Sequence, residues 1–308
     1  MSLKTAFEHD NYHSFKRLVK VLLHYNLLKL SIMKKIIVPV DFTLHSENAL
    51  RTASFFAKKY KAEILVVHML EINTPVISAS PSYVHEQTVF ELKLTEKKFG
   101  EYLDKPYLKD VKVTPVIKHY KSFSDLHRTA EEEKADLIIL SSHGATGIKE
   151  MFFGSNAEVV VRNSTVPVLV IKGLPIDEAF KKAVFACDFS NDFIEPFKKA
   201  REILAFFECE MQLLYVNTPG AKFRTTKEKK ERIDAFLKKL GTTSKEVNIA
   251  EVADFSIEEG ILEFAKTNES DLIVMPTHGK HGIEHFFEGS IAEDVVNHAI
   301  LPVLTVKM

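Results

Sequence analysis

The sequence predicts an α/β protein in which two doubly wound, Rossmann-like parallel-sheet domains follow one another, after an N-terminal amphipathic helical extension. The first observation is an internal repeat, because residues 136–172 return as residues 271–307 at a constant offset of 135. The second is that short apolar runs rich in β-branched residues alternate in both copies with longer helical patterns. A whole set of elements repeated at a fixed offset indicates a duplicated domain.

The elements of each copy follow the same order of strand and helix. This alternation predicts parallel strands joined by crossover helices. In the first copy we predict strands at 36–40, 64–68, 111–117, 137–141 and 168–172, with helices at 49–60, 89–103, 124–134 and from Ser155. In the second copy we predict strands at 183–187, 211–216, 246–250, 272–275 and 303–307, with helices at 194–207, 227–240, 257–267 and from Ser290.

The offset between the copies changes along the chain. Lys34 and Asp41 correspond to Lys181 and Asp188 at an offset of 147, whereas the later segments correspond at an offset of 135. The first copy therefore carries extra residues, equal in number to the difference between these two offsets. We place this insertion between residues 72 and 88. The resulting domains span residues 33–174 and 180–308, and each has the usual size of a domain.

Composition limits the classes of function. The formal net charge is −1 and the basic residues are scattered, so nucleic acid is not an expected partner. Cys187 and Cys209 are the two cysteines, and they lack metal-ligand spacing, which indicates a reducing compartment and a cytoplasmic location. The chain holds no Gly-Lys-Ser/Thr phosphate-loop motif and no Gly-x-Ser-x-Gly elbow, which disfavours classical NTPases and hydrolases.

Residues 1–32 lie outside the repeat and carry apolar residues at helical spacing. Charged residues interrupt the apolar run, so neither a transmembrane span nor a signal peptide is expected. Three interpretations of this extension stay open. It docks on the protein's own surface, it attaches to a membrane surface, or it precedes a natural start at Met33.

The clearest motif in each copy is a loop that leads into a helix. Gly144 is followed after nine intervening positions by Gly154-Ser155, and the second copy repeats this spacing. Free N–H groups and the positive dipole end at a helix N-terminus attract phosphate. Together with the Asp after the first strand, the Ser/Thr-His-Gly loop and a Pro-Val-Leu segment, this pattern resembles the universal stress protein family over residues 33–308.

The resemblance implies a site for an adenine nucleotide in each copy. The nucleotide would be ATP, or ADP or AMP in its place, and Mg²⁺ would accompany it. In the first copy the implied residues are Pro39, Asp41, Met69 and Leu140 for adenine and ribose, and Gly144, Gly154, Ser155 and Asn156 for the phosphates. In the second copy they are Ala186, Asp188, Val216, Met275, Gly279, Gly289, Ser290 and Ile291.

Both copies depart from the family's nucleotide-binding pattern at its first glycine. That place is taken by Ser141 in the first copy and by Pro276 in the second. Ser141 is small and keeps its backbone N–H, whereas Pro276 is bulkier and has no N–H to offer. We therefore include Ser141 in the first site and expect the first domain to bind nucleotide more tightly than the second.

Several of these residues have a purely structural alternative. In each copy a glutamate three positions after the helix-opening serine, Glu158 or Glu293, would complete a capping box that needs no ligand. Asp41 and Asp188 either cap the following helix or accept a ribose hydroxyl. Cys187 is expected to be an inert core residue. The histidines of the two Ser/Thr-His-Gly loops have no catalytic partner at fixed spacing, so we expect them to stabilise the loops.

Two functional hypotheses follow. The first is a regulatory, nucleotide-sensing stress protein that is not an enzyme, with slow ATP hydrolysis left open. The alternative is a tandem scaffold that binds no nucleotide and acts through protein association, which the missing first glycines favour. An adenylyl-transfer enzyme would need a His-x-Gly-His motif, which the chain lacks.

The last strand of each copy predicts how the copies assemble. Residues 168–172 and 303–307 are terminal strands, and an unpaired strand edge attracts a partner. We therefore expect the two domains to pair with each other through these strands. The resemblance implies the same edge for dimers of the family, so a homodimer of the whole module is a further expectation.

Overall fold

The structure, a computed structural model, describes residues 33–70, 81–119, 125–142, 155–277 and 290–308. The described chain forms two successive repeats of alternating strands and helices. The first repeat contains β1 (Lys35–Pro39), α1 (Leu44–Tyr60), β2 (Glu63–Leu70), α2 (Pro81–Leu103), β3 (Val113–His119), α3 (Leu126–Glu132), β4 (Leu137–Ser142), α4 (Ser155–Asn163) and β5 (Val168–Lys172). The second repeat contains β6 (Lys182–Ala186), α5 (Ile194–Phe207), β7 (Glu210–Asn217), α6 (Thr226–Leu240), β8 (Asn248–Ala253), α7 (Ile257–Thr267), β9 (Leu272–Thr277), α8 (Ser290–His298) and β10 (Val303–Lys307).

All ten strands belong to one sheet, in the order β3-β2-β1-β4-β5-β10-β9-β6-β7-β8. Neighbouring strands within each repeat are parallel. The second repeat has the same internal strand order as the first, which confirms the predicted pair of doubly wound α/β units. The predicted extension over residues 1–32 lies outside the described residues.

The central strands are buried on both faces of the sheet. Ile37 in β1 and Val184 in β6 are 0% exposed, and the same holds for most of their strand neighbours. Helices cover both faces, so these strands consist of continuous apolar runs instead of alternating ones. None of the helices within the described ranges is both long enough and apolar enough to span a bilayer.

Several helix boundaries differ from the predicted ones, among them those of α1, α2 and α3. Helix α1 begins at Leu44 instead of 49, because the Thr43 side chain accepts the backbone N–H of Ser46 at 3.4 Å and caps the helix there. Helix α3 covers 126–132 instead of 124–134, and Lys134 beyond it adopts a left-handed conformation with φ of 53°. Helix α2 begins at Pro81 instead of 89, since its polar first turns lack the apolar periodicity on which the prediction rested.

Several strand boundaries also differ, among them those of β3, β8 and β9. Strand β3 covers 113–119 instead of 111–117, after Asp110 with a left-handed φ of 66°. Strand β8 covers 248–253 instead of 246–250, because the Glu246 N–H donates to the Thr243 carbonyl at 2.9 Å in a preceding turn. Strand β9 continues to Thr277 instead of 275, since Pro276 still lies opposite Val306 in the parallel ladder.

The insertion in the first repeat is divided between two places. The numbering offset between equivalent points is 147 at the starts of β2 and β7, 137 at the ends of α2 and α6, and 135 at the starts of β3 and β8. Most of the insertion therefore precedes the end of α2, and a short remainder follows it. Part of it lengthens the helix, because α2 has 23 residues and α6 has 15. The prediction of one insertion at 72–88 is thus wrong for that short remainder.

The two repeats join through antiparallel pairing of β5 with β10, as expected from their terminal position. Val170 lies opposite Val303, Leu169 opposite Leu304 and Val168 opposite Thr305. Positions 168 and 170 correspond to 303 and 305 in the second repeat, so this register is symmetric about the Leu169–Leu304 pair. A pseudo-twofold axis therefore passes through that pair and relates the repeats.

A single arginine connects the helices on either side of this axis. The guanidinium of Arg162 in α4 donates to Glu293 in α8 through Nε at 2.6 Å and through a terminal nitrogen at 2.7 Å. It also donates to Glu158 on its own helix at 2.7 Å. The side chain of Glu293 is 14% exposed and that of Arg162 is 43% exposed, so this ion pair is partly buried. Hydrogen bonding to Glu293 raises the pKa of Arg162 further above its ordinary value.

Two lysines add symmetric contacts across the same interface. Lys172 at the end of β5 donates to the carbonyl of Val296 near the end of α8. Lys307 at the end of β10 donates to the carbonyl of Arg162 near the end of α4 at 2.7 Å. Each ammonium thus lies at the negative end of a helix from the other repeat.

We expect Arg162→Met to weaken the joint between the repeats. The change leaves the Glu158 and Glu293 carboxylates without their shared cation in a partly buried place, so the free energy of unfolding should fall by about 1–3 kcal/mol. Urea denaturation of the full chain measures this loss of stability. The matched control is Lys227→Met. Lys227 forms an exposed ion pair with Glu231 at 4.0 Å, so its loss should cost less than about 0.5 kcal/mol. Equal losses in the two variants would contradict this role.

Lys172 should make stability depend on pH in the alkaline range. Burial lowers the pKa of Lys172 to about 8, below the ordinary value of 10.5. Between these values the unfolded chain holds a proton that the folded chain has lost, so stability rises with pH, by on the order of 1 kcal/mol per pH unit. Relative to Lys172→Met, the parent should therefore gain stability from pH 8 to 10 in urea titrations. Relative to Lys112→Met, at a lysine whose side chain is 73% exposed, the parent should show no such gain.

Candidate functional site

The predicted site residues of the first repeat meet at the carboxyl ends of β1, β2 and β4. Strand β1 lies between β2 and β4, with Pro39 opposite Val67 and Ile37 opposite Ile138. This register brings Met69 and Leu140 to the same edge of the sheet as Pro39. In doubly wound sheets ligands bind at this edge, where the strand order reverses.

Asp41 follows shortly after the end of β1 and is exposed to solvent. Its Oδ1 accepts the backbone N–H of Thr43 at 3.0 Å and the Thr43 hydroxyl at 2.6 Å. Partial burial raises the pKa of Asp41, but the hydrogen bonds from Thr43 and Ser46 outweigh it and hold the pKa below its ordinary value. Asp41 is therefore an ionised carboxylate, and in the described part of the chain no basic side chain neutralises it.

The turn that carries this carboxylate is built in the same way in both repeats. Phe42 and Phe189, each directly after the aspartate, adopt left-handed backbone conformations with φ of 64° and 58°. Their rings pack edge to face on Phe99 and Phe236, with centroids 5.2 and 5.4 Å apart. Non-glycine residues in this conformation are uncommon and often occur at functional sites, where surrounding contacts hold them.

His68 fixes the same turn in the first repeat. Its Nδ1 lies 2.8 Å from the carbonyl oxygen of Val40, and since a carbonyl only accepts, Nδ1 carries the proton. The imidazole also packs against Phe42, with ring centroids 4.7 Å apart. Tyr215 occupies the corresponding position in the second repeat. His68 therefore supports the backbone from which Asp41 projects.

The aspartate of the second repeat is in a different state. Asp188 is 5% exposed, and its carboxylate accepts the Ser190 N–H at 2.7 Å and a terminal nitrogen of Arg232 at 3.0 Å. Nε of Arg232 also donates to the Asp188 carbonyl at 2.6 Å. Asp188 is thus neutralised by a buried ion pair with helix α6.

Neither aspartate caps the helix that follows it, so this alternative is wrong in both repeats. Thr43 is the N-cap of α1, and Asp41 bonds to Thr43 instead of to the helix. In the second repeat Asp188 bonds in the same way to Ser190, which stands two positions after it. Each carboxylate stabilises its own turn.

Arg232 was not predicted as a site residue. Its helix carries alternating charges, and that pattern indicated a solvent-exposed face. Phe99 and Phe236 occupy equivalent places on α2 and α6. Thr95 precedes Phe99 by as many residues as Arg232 precedes Phe236, so Thr95 and Arg232 are equivalent positions. Thr95 is buried and uncharged. The available signal was the position of Arg232 one turn before Phe236, on the edge of the buried stripe of the helix.

The second repeat is tightly packed where adenine is predicted. A methyl group added to Gly260 in α7 would lie 2.6 Å from Cγ1 of Val216, so the helix approaches the end of β7 as closely as glycine allows. The cavity lined by Cys187, Asp188 and Val216 has a volume of about 20 Å³. That is room for about one water molecule. The residue that corresponds to Gly260 in the first repeat is Asp125.

Some of the remaining predicted site residues lie in the part of the chain that the structure describes, and others do not. Ser141 and Pro276 each occupy the position before the last one in β4 and β9. The apolar residues of the predicted sites fall into two groups. The buried ones are Pro39, Leu140, Ala186 and Met275, and the half-buried ones are Met69, Val216 and Ile291. Four predicted phosphate-contacting glycines lie outside the described residues, namely Gly144, Gly154, Gly279 and Gly289.

The predicted phosphate-binding segments are each followed by a described helix. Helix α4 begins at Ser155 and α8 begins at Ser290, as predicted, while the side chains of Ser155, Asn156 and Ser290 are outside the description. The two glutamates expected to complete capping boxes, Glu158 and Glu293, both bind Arg162. Their carboxylates therefore take part in the joint between the repeats.

Two observations concern redox and metal chemistry. Both cysteines are free and buried, and burial raises the pKa of the Cys187 thiol well above its ordinary value. Cys187 is therefore an inert core residue, as expected. In the part of the chain that the structure describes, no group of three or more His, Cys, Asp or Glu residues is arranged to hold a metal ion.

The fold and the strand-end turns define a tandem of two doubly wound α/β domains, each with a carboxylate turn after its first strand. Comparison with known sequences agrees with this class. The profile of the universal stress protein family matches residues 33–172 and again residues 179–307, so the chain belongs to that family as a tandem member.

Individual relatives cover one or both repeats. A universal stress protein of Methanocaldococcus jannaschii is 31% identical over 153 residues, which is 45% of this chain and 94% of the relative. One from Synechocystis is 24% identical over 307 residues, covering 89% of this chain and all of the relative. The crystal structure of a universal stress protein from Archaeoglobus fulgidus superposes with a TM-score of 0.63 at 18% identity, covering 89% of this chain and 98% of that one. The last likeness supports the fold of both repeats together.

We expect Arg232→Met to destabilise the chain by about 2–4 kcal/mol, because it leaves the Asp188 carboxylate buried without its cation. The double variant Arg232→Met/Asp188→Asn removes both charges and should recover a large part of that loss. Urea denaturation of the full chain measures both. A single variant as stable as the parent, or a double variant no better than the single one, would contradict the assigned ion pair.

Proposed function

We propose that this chain is a stress-response regulatory protein that binds an adenine nucleotide in at least its first domain. ATP is the proposed ligand, with ADP or AMP in its place as alternatives, and Mg²⁺ accompanies the triphosphate. The protein senses the nucleotide without robust turnover, and slow ATP hydrolysis is left open. We assign the two domains to residues 33–174 and 180–308, and the cytoplasm as the location.

The observation that carries this proposal is the state of Asp41. An ionised, exposed carboxylate beside the switch point of a doubly wound sheet is a good acceptor for the hydroxyls of a ribose. Apolar residues at the neighbouring strand ends, Pro39, Met69 and Leu140, would contact the adenine. The amino end of α4 would receive the phosphates, through backbone N–H groups and the helix dipole.

The second domain is proposed as the weaker site. Asp188 already has a cation in Arg232, so a ribose would have to compete with a buried ion pair. The close approach of α7 to Val216 leaves room for about one water molecule where adenine would lie. Pro276 has no N–H for a ligand, and the sequence adds Glu288 directly before Gly289.

The alternative is a tandem scaffold that acts through protein association. It is supported by the same packing of the second repeat, which serves a structural purpose without any ligand. The two proposals differ in one respect: the scaffold predicts no nucleotide in either domain.

Titration of ATP into matched variants tests the proposal. Gly154→Asp places a carboxylate at the proposed first phosphate site and Gly289→Asp at the second. We expect Gly154→Asp to weaken binding at least tenfold and Gly289→Asp to leave it within about twofold, measured by isothermal titration calorimetry with Mg²⁺. Asp41→Asn should also weaken binding, whereas Asp188→Asn should not. The reverse ranking, or no binding by the parent, would refute the proposal.

A copurified nucleotide gives a second readout. The chain has no Trp and 8 Tyr, so its own absorbance at 280 nm is low and a bound nucleotide stands out at 260 nm. Acid extraction followed by chromatography identifies the nucleotide. Its recovery from the parent and from Gly289→Asp, together with its loss from Gly154→Asp, is the expected result.

A further inference from the structure

A crevice lies between the two repeats, away from the carboxyl edge of the first one. It is lined by residues at the amino ends of the strands of the first repeat, among them Met33, Asp136 and Val166, and by Lys199, Ile203 and Phe206 of α5 from the second. Its volume is about 480 Å³. Met33 is the first described residue, so the extension 1–32 enters the fold at the wall of this crevice.

The pseudo-twofold axis identifies the equivalent place in the other half of the molecule. Residues before β1 correspond to residues before β6 at an offset of 147, so Met33 corresponds to Phe180. Helix α5 corresponds to α1 at the same offset, which makes Lys199 and Ile203 equivalent to Thr52 and Phe56. The counterpart of the crevice is therefore the face of α1 next to the linker before β6.

That counterpart is filled by the linker, residues 173–180. The Ile176 N–H donates to the Thr52 hydroxyl at 2.9 Å, and Asn48 donates to the carbonyl of Gly173. Phe180 is buried and packs on Phe56, with ring centroids 5.9 Å apart. The linker thus covers α1 along its length.

On the crevice side, smaller residues stand at the equivalent positions. Met33 and Ile203 replace Phe180 and Phe56, so the two walls do not meet as they do in the counterpart. The segment that corresponds to the linker is residues 26–32, with the sequence Asn-Leu-Leu-Lys-Leu-Ser-Ile. More than half of this segment is apolar, which suits the partly exposed Ile203 and Phe206.

We propose that residues 26–32 occupy this crevice and cover α5 as the linker covers α1. The segment connects β1 of the first repeat to a helix of the second and therefore strengthens the joint between them. This inference is independent of the proposed nucleotide site, because the crevice lies at the opposite edge of the first repeat. It also selects the self-docked interpretation of the extension.

Thiol reactivity in the full chain tests the inference. Lys199→Cys places a thiol in the crevice, and Thr52→Cys places the equivalent thiol under the linker. Lys112→Cys serves as the exposed reference, since the side chain of Lys112 is 73% exposed. The natural cysteines are both buried, which keeps their own reaction with a disulfide reagent slow.

We expect the Lys199→Cys thiol to react at least tenfold more slowly than the Lys112→Cys thiol. Adding Leu28→Asp/Leu30→Asp should release that protection, since two carboxylates cannot be buried in an apolar crevice. The Thr52→Cys thiol should remain slow in every background. Thr5→Asp/Ser14→Asp, a control in the earlier part of the extension, should change nothing.

A second reporter covers the case in which the new cysteine disturbs the fold. The chain has no Trp, so Ile203→Trp gives a single fluorophore in the crevice. Its quenching by acrylamide should increase at least twofold with Leu28→Asp/Leu30→Asp. Thermal melting followed by circular dichroism checks that Ile203→Trp is folded with and without Leu28→Asp/Leu30→Asp.

Four outcomes would overturn the inference. A Lys199→Cys thiol that is already fast in the parent shows an open crevice, and one that stays slow with Leu28→Asp/Leu30→Asp shows another shield. Protection that increases with protein concentration assigns the crevice to a second copy of the chain. Protection that vesicles of phosphatidylglycerol abolish shows that the extension prefers a membrane surface.

Discussion

Antiparallel pairing of β5 with β10 is the constraint on which the rest of the arrangement depends. It removes two exposed strand edges and fuses both repeats into one sheet. Because the pairing is antiparallel, the carboxyl ends of the strands in the two repeats face opposite edges of that sheet. The two candidate sites therefore lie apart, and each is built from the residues of its own repeat.

The same axis explains why the joint is symmetric in its backbone and asymmetric in its side chains. Leu169 and Leu304 face each other, and Lys172 and Lys307 make equivalent contacts. Arg162, however, serves glutamates from both helices, and its counterpart in the sequence is Asn297. The buried Oδ1 of Asn297 has no hydrogen-bond partner among the described residues, so one arginine supplies the charge for both sides of the axis.

The sequence was sufficient for the fold because the duplication repeats every strand and helix at a nearly constant offset. It failed at boundaries set by single backbone conformations, such as the left-handed Lys134 that follows α3, which periodicity does not record. In the site, the positions of Asp41 and Asp188 were predicted correctly, since both follow a buried strand. The difference between the two carboxylates, one unpaired among the described residues and one in an ion pair, was not predicted. The partner of Asp188 comes from a distant helix, α6, whose charge pattern indicated a solvent-exposed face.

The contrast between the two aspartates has a simple physical basis. In the second repeat Arg232 binds both the carbonyl and the carboxylate of Asp188, so a charged side chain holds the turn. In the first repeat Thr95 stands at the equivalent place, and the turn is held by hydrogen bonds from Thr43 and His68 instead of by an arginine.

In the described part of the first repeat the negative charge of the aspartate is not compensated by an arginine, whereas in the second repeat Arg232 offsets it. The backbone is the same in both cases, down to the left-handed phenylalanine after each aspartate. Two repeats of one fold thus present different charge at the same turn, because α6 carries Arg232 where α2 carries Thr95.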